Sequence, residues 1–251
     1  PVYDPIESNF TTEDTVCLGD PSVFQNVSWS GCPPNNLMNG DSVKFVWNYG
    51  NCDSLAYYDI PTYLNPPYTY PEAGTYIVTL EAEDVCGKTE MEDTIVVLPP
   101  PNPSFNAEPV CEGEETLFID SSWSSASYTR QDTCSDGTPN DIFVPNGGII
   151  TDWHWNFGDG NTSSDENPIH IYSSCGTYTV ILTVTDEYDC SDDFIQDVIV
   201  YDLPEPVFTS TDTCSEYCNL IYDNSIPGSD TSCISGAIIN WNWDLFYFFN
   251  F

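Results

Sequence analysis

Apolar and polar residues alternate along much of this chain with a period of two. Tyr76, Val78, Leu80 and Ala82 alternate with Thr75, Ile77, Thr79 and Glu81, and Tyr178, Val180, Leu182 and Val184 keep the same register further on. Such patterning predicts strands with the first set on a buried face and the Thr-rich set outward. Further strands are expected at Thr94–Leu98 and Asp197–Tyr201. Each runs into a proline-rich junction, Pro99–Pro103 and Leu203–Pro206, where proline cannot donate to a ladder and so ends the strand. No segment carries a convincing helical period, and the chain reads as all-β.

The alternating segments belong to larger repeats. Val16-Cys17-Leu18-Gly19 returns as Val110-Cys111-Glu112-Gly113 and, more loosely, as Thr213-Cys214-Ser215-Glu216. Val23-Phe24-Gln25-Asn26 matches Leu117-Phe118-Ile119-Asp120 and Leu220-Ile221-Tyr222-Asp223. A Trp strand follows each time: Val46-Trp47-Asn48-Tyr49-Gly50, His154-Trp155-Asn156-Phe157-Gly158 and Asn242-Trp243-Asp244-Leu245. Asn65-Pro66-Pro67-Tyr68-Thr69-Tyr70 then matches Asn167-Pro168-Ile169-His170-Ile171-Tyr172. The cysteines of successive repeats are 111 − 17 = 94 and 214 − 111 = 103 residues apart, which is the size of a domain. We expect tandem antiparallel β-sandwiches of about seven strands each. Residues 1–5 read as the tail of a preceding repeat, 6–100 as sandwich 1, 101–204 as sandwich 2 and 205–251 as a partial repeat 3. This phase predicts a piece of a longer array, or a third domain completed by a neighbouring subunit. The aromatic run Leu245–Phe251 is the segment that such completion would cover.

Charge narrows the functions. Of 251 residues, 40 are Asp or Glu and only Lys44, Lys88 and Arg130 are Lys or Arg, for a formal charge of −37. Nothing here can neutralise phosphates, so nucleic acid and anionic membranes are excluded as partners. With 40% hydrophobic residues and 14% aromatics, the chain builds cores and is not an acidic disordered tail. Eleven cysteines point to an oxidising compartment, hence an extracellular or cell-surface location. No stretch approaches the ~20 apolar residues of a membrane helix.

Three blocks of the middle repeat carry a family resemblance: Trp155-Asn156-Phe157-Gly158-Asp159-Gly160, Asn167-Pro168-Ile169-His170-Ile171-Tyr172, and Gly176-Thr177-Tyr178-Thr179-Val180-Ile181-Leu182. Together they resemble the polycystic-kidney-disease (PKD) domain family, in the cysteine-bearing form of large secreted or surface proteins of Bacteroidetes-type bacteria. The first repeat departs from the pattern at Asn51-Cys52, where the family has Asp-Gly, and the third keeps only its Trp strand. The resemblance implies immunoglobulin-like spacers, adhesive modules or carbohydrate-associated modules without catalytic activity. The expected function is a structural segment of an extracellular fibre or stalk, with copies of itself or neighbouring PKD-like domains as partners. The alternative is a carbohydrate-binding or adhesive accessory module, in which Tyr57, Tyr58, Tyr63 and Trp123 stack on glycans. A Ca²⁺-regulated adhesion ectodomain is a third reading.

Equivalent places in the repeats suggest the disulfides Cys17–Cys86 and Cys111–Cys190, while Cys32–Cys52, Cys134–Cys175 and Cys218–Cys233 fit insertion loops, leaving Cys214 over. Asn9, Asn26 and Asn161 stand in Asn-x-Ser/Thr sequons, and Thr15, Ser42, Ser54 and Thr94 in Asp-Ser/Thr-aliphatic sites that such bacteria O-glycosylate. Asp159 and Asp165 begin a loop with oxygens at alternate positions, a candidate Ca²⁺ site, although Ser164 and His170 replace the Gly and Glu that an EF-hand requires. No other cofactor is expected. No nucleophile elbow, zinc motif or phosphate loop occurs, and Tyr68 stands where His170 stands in the next repeat, so no catalytic residue is assigned.

Overall fold

A computed structural model describes residues 6–29, 43–58, 65–134, 137–204, 206–210 and 221–225. Among these there is no helix. The first repeat contributes β1 (Phe10–Thr11), β2 (Thr15–Cys17), β3 (Pro21–Val23), β4 (Gln25–Asn26), β5 (Lys44–Asn48), β6 (Ser54–Tyr58), β7 (Pro67–Thr69), β8 (Gly74–Asp84) and β9 (Gly87–Leu98). The second contributes β10 (Phe105–Ala107), β11 (Val110–Cys111), β12 (Glu115–Asp120), β13 (Tyr128–Thr133), β14 (Pro139–Val144), β15 (Ile150–Asn156), β16 (Thr162–Ser163), β17 (Ile169–Ile171), β18 (Gly176–Asp186) and β19 (Ser191–Tyr201). A short antiparallel pair, β20 (Phe208–Ser210) with β21 (Ile221–Asp223), follows. The third Trp strand, residues 1–5 and the aromatic run to Phe251 lie outside the described residues.

The expected alternation holds where it is strongest. Tyr76, Val78, Leu80 and Ala82 are buried on β8, as are Val180, Leu182 and Val184 on β18. The hairpins are longer than the apolar runs alone predicted, because β9 begins at Gly87 and β19 at Ser191. Their polar halves pair in full register with the preceding strand in β8–β9, from Asp84↔Gly87 to Gly74↔Val97. In each repeat a short strand pairs in parallel with the end of the long hairpin: β2 along Val96–Leu98 and β11 along Val200–Tyr201. These are immunoglobulin-like sandwiches in tandem.

The compact units do not follow the repeat boundary. One gathers the described residues of 1–102, 122–152 and 184–192, the other those of 103–121, 153–183 and from 193 onward. In the first unit β2, β5, β6, β8, β9, β13 and β14 form one seven-stranded sheet. The β13–β14 hairpin is an insertion of the second repeat, yet Phe143 of β14 pairs with Thr75 of β8. Ile142 enters the same core as Trp47, Phe10, Phe24 and Tyr76. Arg130 on β13 binds Glu72 and donates to the carbonyl of Ala73 at 3.3 Å. In the second unit β12 lies between β10 and β17 in a three-stranded sheet. Its core centres on Trp155, with Phe105 and Phe118 ring centroids 5.1 and 5.4 Å away.

The cysteines correct the pairing drawn from repeat positions. Cys17 bonds Cys190, not Cys86, and Cys52 bonds Cys134, not Cys32, so Cys134 does not bond Cys175. The reason lies in the long hairpins. Cys17 stands opposite Leu98, at the end of β9, whereas Cys86 sits in the turn before Gly87, a strand length of roughly 36–40 Å away at 3.3 Å or so per residue. Cys111 stands opposite Tyr201 and Cys190 precedes β19 at its other end, so Cys111–Cys190 fails for the same reason, and Cys111 is a free thiol. Cys86 and Cys175 are disulfide-bonded too. Cys32, Cys218 and Cys233 lie outside the described residues.

Candidate functional site

The motif that singled out the middle repeat is a turn held by an aromatic and carboxylate clamp. After β15, Asn156 Oδ1 accepts from the Gly158 N–H at 3.0 Å. Asp159 then accepts from the Asn161 backbone N–H at 3.0 Å and from the Asn161 amide at 2.9 Å. His170, brought in by β17, lies flat on Phe157 with centroids 4.2 Å apart and places Nε2 2.8 Å from Asp159 Oδ2. The Tyr172 hydroxyl donates to the Phe157 carbonyl at 3.0 Å. The Trp155 indole N–H donates to the Asp165 carbonyl at 2.9 Å, tying the far side of the loop to the core.

The first repeat builds the same clamp from other residues. Tyr68 replaces His170 and stacks on Tyr49 at 3.9 Å, and its hydroxyl donates to Asp53 at 2.5 Å while Asn51 donates to it at 2.6 Å. Burial, then the hydrogen bond to Asp53, push the Tyr68 hydroxyl up to about 12. A polar ring stacked on an aromatic and anchored to a carboxylate thus recurs with imidazole in one repeat and phenol in the other. What the two rings share is packing and a hydrogen bond to a carboxylate.

Two consequences are measurable. Gly158 has φ +80°, and a Cβ there would lie 2.6 Å from the Thr179 carbonyl oxygen, whereas Gly160, at φ +94°, faces open space. Gly160→Ala carries only the backbone cost, about 1–2 kcal/mol. Gly158→Ala adds a clash with a strand backbone that cannot step aside, so denaturant titration is expected to find it the more destabilising of the two. The second concerns acid. Burial alone would raise Asp159, but hydrogen bonds from Asn161 and His170 outweigh it and hold the carboxyl below its usual range. A depressed folded-state value stabilises the fold above the unfolded value near ~3.9, and that contribution is lost as pH falls through the folded value. The stability gap between the native chain and Asp159→Asn is therefore expected to be open at neutral pH and to close below about pH 4.

The donor set does not fit calcium. The Asp159 carboxylate is taken up by Asn161 and His170, and Asp165 accepts from Ser163, at 3.4 Å. Ca²⁺ asks for 6–8 oxygens converging on one point. Among the described residues the group with donor atoms within 4.8 Å of one another is Glu112, Cys175 and Asp202. There Cys175 is disulfide-bonded, so no thiolate is available, and its N–H donates to Glu112 at 3.0 Å.

Of the sequons, Asn9 and Asn161 are exposed, whereas the Asn26 amide nitrogen is buried and has no room for a glycan. Thr15, Ser54 and Thr94 are exposed, and Ser42 lies outside the described residues. Trp123 is 56% exposed, and Trp29, at the matching place in the first repeat, is 62% exposed. Each forms an isolated bridge, Trp29 with Glu7 and Trp123 with Asn102. Tyr57 and Tyr58 lie on β6, and Tyr63 is outside the described residues.

Fold and clamp together define a chain of immunoglobulin-like sandwiches whose shared motif is structural. Residues 134–200 match the PKD domain family. A stretch of 52 residues is 54% identical to collagenase ColA of Bacillus cereus, covering 21% of this chain and 5% of that protein. Another of 53 residues is 42% identical to the pre-pro-metalloprotease PrtV of Vibrio cholerae, covering 21% of this chain and 6% of the other. The matches thus span about a twentieth of the length of these relatives. The PKD1 domain of Vibrio cholerae PrtV aligns over 40% of this chain and 96% of its own at 29% identity, with a TM-score of 0.29, too low to add to the argument. These relatives belong to Bacillus and Vibrio, so the bacterial group expected from the resemblance gains no support from them.

Proposed function

We propose that this chain is a non-catalytic structural segment of a larger extracellular protein, a stalk of PKD-like sandwiches that holds other parts at a fixed spacing. The observation that carries the reading is covalent. Cys52–Cys134 joins the Trp-strand turn of the first repeat to the inserted hairpin of the second, and Cys17–Cys190 joins β2 to the turn before β19. Disulfides of this kind persist outside the cell and resist unfolding by load. The PKD match and the relatives that are collagenases and metalloproteases support an accessory place beside other domains. The test is turnover: the oxidised chain incubated with peptide, ester and glycoside substrates is expected to convert none of them. Turnover that survives repurification and is removed by a single side-chain substitution would overturn the reading.

Trp29 and Trp123 favour a second reading, a glycan-binding accessory module, because two exposed indoles occupy the same bridge position in successive repeats. Glycan-array binding lost in Trp29→Ala and Trp123→Ala supports it; an array on which the native chain binds nothing removes it.

A further inference from the structure

The outer face of the β10–β12–β17 sheet carries more apolar surface than the fold requires. Leu117 and Ile119 on β12 and Ile169 and Ile171 on β17 are 50, 48, 59 and 51% exposed. Leu117 lies directly opposite Ile169, and the other two follow at the next same-face positions, so the four form one continuous patch. Single exposed aliphatics are ordinary on protein surfaces, and contiguous ones are not. Strand propensity does not account for them, because the first repeat supplies an internal control. At the matching positions it has Val23, Gln25, Pro67 and Thr69, and β3 and β7 still pair there in register.

The surroundings say what could cover the patch. Glu115 faces Ile171 across the strands, the exposed Glu108 follows β10, and Asn106 lies opposite Ile119. All three Lys and Arg residues, Lys44, Lys88 and Arg130, fall in the first compact unit, and the segments 103–121, 153–183 and 193–251 contain none. A second copy would bring −37 against −37. The four side chains of the patch are aliphatic, without the aromatic platform on which sugars stack. We infer that this face docks a basic polypeptide segment that alternates aliphatic and cationic side chains, the aliphatic ones on the patch and the cationic ones toward Glu108 and Glu115.

The probe is a short peptide of alternating Leu and Lys, with Ser-Lys and Leu-Glu peptides as controls, titrated into the whole chain with methyl and backbone NMR detection. Leu-Lys is expected to bind, to shift the signals of Leu117, Ile119, Ile169 and Ile171, and to weaken with added salt. Ile119→Gln with Ile171→Thr, residues the first repeat already uses, is expected to weaken it about tenfold while leaving the loose Ser-Lys association unchanged. Binding of Leu-Lys unaltered by the double substitution overturns the proposal, as does equal binding of Ser-Lys or Leu-Glu. If the double variant unfolds, the native chain decides: shifts confined to other surfaces overturn it. Sedimentation showing self-association lost in Ile119→Gln alone assigns the patch to a second copy and overturns it likewise.

Discussion

Pulled from its two ends, the oxidised chain is expected to withhold about 600 Å of contour length that a thiol reductant releases. Cys17 and Cys190 are 173 residues apart, and an extended chain spans roughly 3.3–3.6 Å per residue, so everything between them is shielded from load until that bond opens. Cys52 and Cys134 lie inside that loop. Replacing both by serine is therefore expected to add no length to the oxidised chain, however much it weakens the fold. Replacing Cys17 and Cys190 is expected to lengthen it. Single-molecule extension under oxidising and reducing conditions reads both outcomes, and equal lengths in the two conditions would show that load is not carried this way.

The second large effect lies in the cores. Trp47 and Trp155 are both fully buried, and truncation of either to alanine is expected to destabilise by about 3–5 kcal/mol. The milder change to phenylalanine separates them. Trp155 donates its indole N–H to the Asp165 carbonyl, so Trp155→Phe removes ring volume and strands a hydrogen-bond acceptor. The Trp47 indole nitrogen is buried without a hydrogen-bond partner, so Trp47→Phe loses volume but also removes an unsatisfied donor. Denaturant midpoints are expected to fall further for Trp155→Phe; the reverse order would mean that the Asp165 bond contributes nothing.

These two effects mark where sequence reading succeeds and where it stops. The alternating positions of β8 and β18 were legible because burial follows from a strand's own period, which needs no knowledge of its neighbours. The clamp was half legible: Tyr68 and His170 matched from one repeat to the next, but only the fold reveals that they stack on Tyr49 and Phe157. The disulfides were misread because equivalence between repeats assumes that each repeat closes on itself. Cys17 and Cys86 sit at opposite ends of β9, a distance invisible until the hairpin's length is known. Residues 128–144 gave no hint of their destination, since a polar strand such as Tyr128–Thr133 looks like any surface loop. Three-dimensional pairing, not local pattern, sends Ile142 into the first unit's core.

That hairpin has a consequence for inheritance. A genetic crossover at the proline junction 99–103, the natural seam between the repeats, would part β8 from β14, Cys52 from Cys134 and Arg130 from Glu72. Each fragment would keep an open edge and two thiols parted from their partners, Cys17 and Cys52 in one and Cys134 and Cys190 in the other. Shuffling of these modules is thus expected to conserve the pair as one cassette, with recombination tolerated outside it.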